Sequence, residues 1–168
     1  HPSVLIKNEL ILKHDLKYNE AYDTIEDYKF WLDCSEHTNF GMVPEVLLHY
    51  RHLETSLSKV AEKDSNKRYI AHKKVFSEIL ERLSIKNTEK ENKLHFTIGL
   101  NTRIAKENID LKFLNSYLTK LIEANKSNKI FDEKLLRWLL AKKFLIVVYY
   151  KIKTKDYSFL NAIFYKFF

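Results

Sequence analysis

Apolar and polar positions follow one pattern up to about residue 56 and another beyond it. In the first part the apolar residues come in short runs. Residues 2–7 (P-S-V-L-I-K) read as a short buried strand leading into a brief helix around 9–13. Residues 15–23 mix polar and aromatic side chains without a period and read as a loop. Thr24-x-x-Asp27 is a capping-box variant that places Thr24 at an N-cap and both Glu26 and Asp27 in the first helical turn. The helix is predicted to run to about His37, with Tyr28, Trp31, Leu32 and Ser35 stacked along one face. Asn39-Phe40-Gly41 is a turn, and residues 42–51 (M-V-P-E-V-L-L-H-Y-R) are a second extended stretch with Pro44 near its start. From Ser56 onward the period is helical. One long or kinked helix is predicted over 56–83, weakened near Asp64-Ser65-Asn66, with others at about 88–107, 110–125, 132–151 and 156–168. No repeat of fixed period appears. The expected fold class is α+β, predominantly helical: a few short strands over 1–60, followed by a helical bundle over 61–168.

Composition narrows the function. Two glycines and two prolines argue against sandwiches, barrels and glycine-rich nucleotide loops. A hydrophobic share of 45% is enough to close a core. Cys34 is the lone cysteine, which excludes a disulfide framework and any C-x-x-C site and suits a reducing compartment. The longest purely apolar run, residues 144–150, falls far short of the roughly 20 residues that span a bilayer. Charge is uneven: residues 1–60 hold 6 Lys/Arg against 10 Asp/Glu, and residues 61–168 hold 23 against 12. Such asymmetry speaks of partners, not of fold. The chain opens on His1 and not Met, which reads as a piece cut from a longer protein, and its Lys, Asn, Ile and Tyr usage has a bacterial flavour.

The sharpest chemical feature is the Glu26-Asp27 pair, and it has two readings. Acids in a first helical turn complement the macrodipole and cap free amides, each worth about 0.3–1 kcal/mol. A carboxylate held ionised at a helix N-terminus also suits a general base. Trp31, one turn further on, offers a flat apolar face for a ligand ring or a core contact. Arg51 offers a guanidinium fork for phosphate or a salt bridge anchoring its segment.

Five pieces stand in register over about sixty residues: His1-Pro2-Ser3-Val4-Leu5-Ile6-Lys7, Tyr18-Asn19-Glu20, Glu26-Asp27-Tyr28-Lys29-Phe30-Trp31-Leu32, Val43-Pro44-Glu45-Val46-Leu47-Leu48-His49-Tyr50-Arg51 and Ser56-Leu57-Ser58. Together they resemble the C-terminal part of family 2 glycosyltransferases, with the wording E-D-Y-x-x-W and V-P-E-x-L-x-x-Y-R…S-x-S. The resemblance implies the acceptor side of a GT-A type catalytic domain over 1–60, in an inverting enzyme that uses a nucleotide-diphosphate sugar and a divalent metal, Mg or Mn. It implies Asp27 as the base that deprotonates the acceptor hydroxyl, Glu26 orienting acceptor or base, and His1 at the acceptor side. Two departures stand out. Leu53 occupies a position where the family often carries a histidine, and His52 precedes it by one. No D-x-D occurs among the eight aspartates. No metal ligand is therefore assigned here; the ligands are expected mostly outside this chain, and the chain alone is expected to be inactive.

The basic part carries no comparable constellation, and His72 and His95 read as isolated. Eleven of the 23 aromatics fall in the last 38 residues, among flanking lysines. That pattern suits peripheral membrane contact through 132–168, on the inner face of the cytoplasmic membrane of a cytoplasmic enzyme that serves cell-surface polysaccharide synthesis with a glycan or glycolipid acceptor. It equally suits helices packed on one another. An alternative of a different class is a basic helical module that binds nucleic acid or protein. Against nucleic acid, arginines are few and the lysines form no single stripe.

Overall fold

The computed structural model describes residues 3–22, 25–51, 53 and 64–156. Every regular element among them is helical: α1 (Asn8–His14), a 3-10 turn (Glu20–Tyr22), α2 (Glu26–Cys34), α3 (Ser65–Arg82), α4 (Glu89–Gly99), α5 (Asn101–Ile104), α6 (Leu111–Asn128) and α7 (Glu133–Lys153). The chain divides into two compact units, His1–Val75 and Phe76–Phe168.

The α+β expectation is thereby corrected, because no strand occurs among the described residues. Residues 4–7 and 42–51 have the composition of strands but find no strand partner among the described residues. An extended segment becomes a strand only by exchanging backbone hydrogen bonds with another, and no described residue pairs with either. Their apolar side chains stand in solvent as a result: Leu5 is 99% and Met42 91% exposed.

The first unit has a small interior of Ile25, Phe30, Cys34 and Val75. The buried face of α2 is the i, i+4 pair Phe30 and Cys34, whereas Tyr28 and Ser35, predicted to share an apolar face, are exposed. Tyr18 stacks on Phe30 with ring centroids 4.7 Å apart. Lys74 of α3 lies 4.2 Å from the centroid of the Tyr22 ring and donates to the Ala21 carbonyl at 3.2 Å. The N-cap of α2 is Ile25, which makes no side-chain cap bond; the expected cap, Thr24, lies outside the described residues. The helix stops at Cys34, short of His37, where the Ser35 hydroxyl donates to the Leu32 carbonyl at 2.6 Å.

The second unit is built on better-defined helix ends. Thr88 and Glu91 form a reciprocal capping box on α4. The Asp110 and Asp132 carboxylates accept the amides of Phe113 at 2.6 Å and Leu135 at 2.7 Å, opening α6 and α7. The helix predicted over 88–107 breaks at Leu100, which is extended (φ −128°, ψ 133°). Arg103 then donates to the Phe96 carbonyl at 2.7 Å, satisfying an acceptor that α4 leaves open at its end. The core joins Leu114, Tyr117, Leu118 and Leu121 of α6 to Leu140, Phe144 and Val147 of α7, with Phe76 and Leu80 of α3 and Leu94 and Ile98 of α4.

Two joints fix the C-terminal helices. Lys129 closes α6 in the left-handed region (φ 52°), and the amide of Asn125, 2% exposed, clasps Phe131 from both sides. Its Nδ2 donates to the Phe131 carbonyl at 2.9 Å and its Oδ1 accepts the Phe131 amide at 2.8 Å. At the end of α7, Lys155 is left-handed (φ 58°), while the amides of Asp156 and Lys155 return to the carbonyls of Lys151 and Ile152, a Schellman stop. The buried Lys151 ammonium reaches Asp156 at 2.6 Å and the Asn108 side-chain oxygen at 2.8 Å, so its charge is paired. Residues 56–63 of the helix predicted over 56–83, and residues 157–168 of the one predicted over 156–168, fall outside the described residues.

Candidate functional site at the start of α2

The first turn of a helix leaves amides without partners, and carboxylates are favoured there. Glu26 and Asp27 occupy that turn, both half-buried. Asp27 Oδ1 accepts the Tyr28 amide at 2.7 Å. Burial pushes the Tyr28 hydroxyl above its ordinary value, so it carries its proton at neutral pH. The Tyr28 ring lies 5.8 Å from the ring of His72 on α3. His72, which reads as isolated in the sequence, is therefore a neighbour of the acidic turn that only the fold could reveal.

Trp31 is half-buried, edge-on to Phe30 at 4.9 Å and to Phe40 at 6.5 Å. It lines an open cleft of about 1350 Å³ with His14, His37, Phe40 and Leu47. Glu26, Asp27 and Arg51 do not line that cleft. The structure thus places three of the sequence-predicted residues on one short helix, two at its first turn and the indole one turn on, facing the cleft. Arg51 is exposed at the end of the irregular segment. His1 and His52 lie outside the described residues, and Leu53 is exposed.

A second pair in the cleft has no signature in the sequence. The rings of His14 and His37 stack with centroids 3.8 Å apart and planes 14° apart. Partial burial, then His37 and Lys13, hold His14 below its ordinary value, because a second positive charge beside these groups is disfavoured. Among the described residues no three His, Cys, Asp or Glu side chains are grouped to hold a metal ion. The donor set for a divalent metal is not found in them, and no step below runs through one.

The second unit has its own partly buried polar chain. Lys120 pairs with Glu91 at 2.7 Å and donates to Asn87 Oδ1 at 3.3 Å. Asn87 Nδ2 donates to the Tyr117 oxygen at 3.0 Å, and that hydroxyl lies 2.7 Å from His95 Nδ1. The direction of that last bond follows the tautomer of the imidazole. Burial lowers His95 to about 4 and pushes Tyr117 up, so both stay neutral at pH 7.

No protein-family model matches the chain, and no solved structure matches it. Two curated relatives do. An uncharacterized glycosyltransferase of Haemophilus influenzae is 28% identical over 129 residues, covering 76% of this chain and 33% of the relative. An uncharacterized glycosyltransferase of Methanocaldococcus jannaschii is 38% identical over 52 residues, covering 30% of this chain and 17% of the relative. These matches support a glycosyltransferase relationship. The chain spans a third or less of the length of these relatives.

Proposed function

We propose that the chain is the acceptor-side part of a longer inverting glycosyltransferase of family 2, GT-A type. The enzyme moves a sugar from a nucleotide-diphosphate donor to a glycan or lipid-linked acceptor. One observation carries the reading. The similarity to the Haemophilus influenzae protein runs over 129 residues, so more than half of it must lie beyond residue 60, in the basic helices. In this reading the helical part belongs to the same transferase as the acidic turn.

In this reading Asp27 removes the acceptor hydroxyl proton as that oxygen attacks the anomeric carbon and the nucleoside diphosphate departs with the bonding electrons. Direct displacement inverts the anomeric configuration and needs one ionised carboxylate beside the acceptor oxygen. Glu26 orients the acceptor, the flat face of Trp31 packs against a sugar ring, and Arg51 and His1 serve the donor phosphate and the acceptor side. The remaining part of the longer polypeptide covers the apolar side chains that residues 4–7 and 42–51 present to solvent, and it brings the donor site and a divalent metal.

The test is an assay of the longer polypeptide beside its Asp27→Asn variant. The variant is expected to lose kcat by ~10² or more with its circular dichroism unchanged. Normal transfer by the variant would reduce Glu26-Asp27 to a helix cap. The purified 168-residue chain should turn over no nucleotide sugar, and measurable turnover by it contradicts the assignment.

A further inference from the structure

α7 is apolar on two opposite faces. Leu140, Phe144 and Val147 are buried in the second unit. On the other side Leu135, Trp138, Leu145, Tyr149 and Ile152 are between 48% and 60% exposed. With Lys142 included, the outer positions 135, 138, 142, 145, 149 and 152 are spaced alternately by three and four residues, so they form one continuous stripe. At 1.5 Å per residue the stripe is about 26 Å long. No helix among the described residues is long and apolar enough to cross a membrane, so a lipid-facing role for α7 means lying on a surface.

The charges around the stripe decide what covers it. Lys134, Lys142 and Lys153 are exposed on or beside it. The helix's one acid, Glu133, is taken up by Arg137 at 2.9 Å. Lys142 sits near the middle of the stripe, its ammonium 5.2 Å from the centroid of the Trp138 ring. A symmetric pairing of this face with a second copy would bring two Lys142 side chains together with no acid to meet them, which opposes association. Against a layer of anionic headgroups the same lysines extend outward and find their counter-charges, while indole and phenol settle at the apolar boundary.

We infer that the outer face of α7 is a peripheral binding surface for anionic lipid bilayers, with Trp138 and Leu145 inserted and Lys134, Lys142 and Lys153 on the headgroups. This inference concerns a helix of the second unit and does not depend on the transferase reading. Its readout is binding alone.

The experiment is flotation of the full 168-residue chain with vesicles of phosphatidylcholine containing phosphatidylglycerol, and with phosphatidylcholine alone. Binding is expected to the anionic vesicles only. It should weaken at least tenfold in the Trp138→Ser/Leu145→Ser variant and by roughly fivefold for each of the three lysines changed to Gln. All these positions are solvent-facing, so circular dichroism and melting should not move. Three results would overturn the inference: background recovery with anionic vesicles, undiminished binding by the Trp138→Ser/Leu145→Ser variant, or a dimer in lipid-free sedimentation that this variant abolishes.

Discussion

His95 sits 2.7 Å from the Tyr117 hydroxyl, where burial disfavours a positive charge on its ring. Unfolding frees the ring to titrate near 6.5, while in the folded chain burial keeps it neutral down to about 4. Between those values the unfolded state binds more protons, so stability rises with pH there. The contribution is complete above about pH 6.5 and is lost as pH falls towards 4, amounting to at most about 3 kcal/mol over the interval. Urea unfolding followed at pH 7, 5.5 and 4.5 should show the decline, and His95→Gln, which keeps an acceptor but does not titrate, should flatten it. Residues differ in how much of such a role a sequence can display. That Glu26, Asp27 and Trp31 share one helix is legible because their spacing is local. His72 beside Tyr28, His14 on His37 and His95 on Tyr117 join residues 22 or more positions apart, and no local pattern encodes those meetings.

Helices are decided largely at their ends. The Thr88 hydroxyl and Glu91 carboxylate each take up an amide of the first turn of α4 or its cap. Thr88→Ala should cost about 1 kcal/mol, read as a lower melting temperature, with Glu91 still held by Lys120. The same T-x-x-acid spacing precedes α2, yet that helix takes Ile25 as its cap, so the spacing marks a helix start more reliably than it marks the capping residue. The four longer helices were legible from their period, including the weak point at Asp64, whose carboxylate accepts the Lys67 amide at 2.9 Å. The break at Leu100 was not, because it depends on Arg103 reaching back to Phe96. The two expected strands failed for another reason: alternation and β-branching describe a segment able to join a sheet, but the sheet itself is a property of other residues.

At the scale of the whole molecule the two units should differ in how readily they open. α1 buries none of its residues and α2 only Phe30 and Cys34, while α6 buries seven along its length. Native-state hydrogen exchange should therefore find the amides of Leu118 and Leu121 protected about a hundredfold or more beyond those of α1 and α2. Comparable protection in both units would mean that the short helices belong to one cooperative core. The Asn125 clasp carries a last consequence, for how this chain tolerates editing. One side-chain amide holds both backbone groups of Phe131, so the joint between α6 and α7 has a fixed length as well as a fixed path. A tag or extra residue inserted at position 130 would pull Phe131 out of that grip and strand a buried amide. Engineers and evolution alike should find the second unit closed to insertions at that corner.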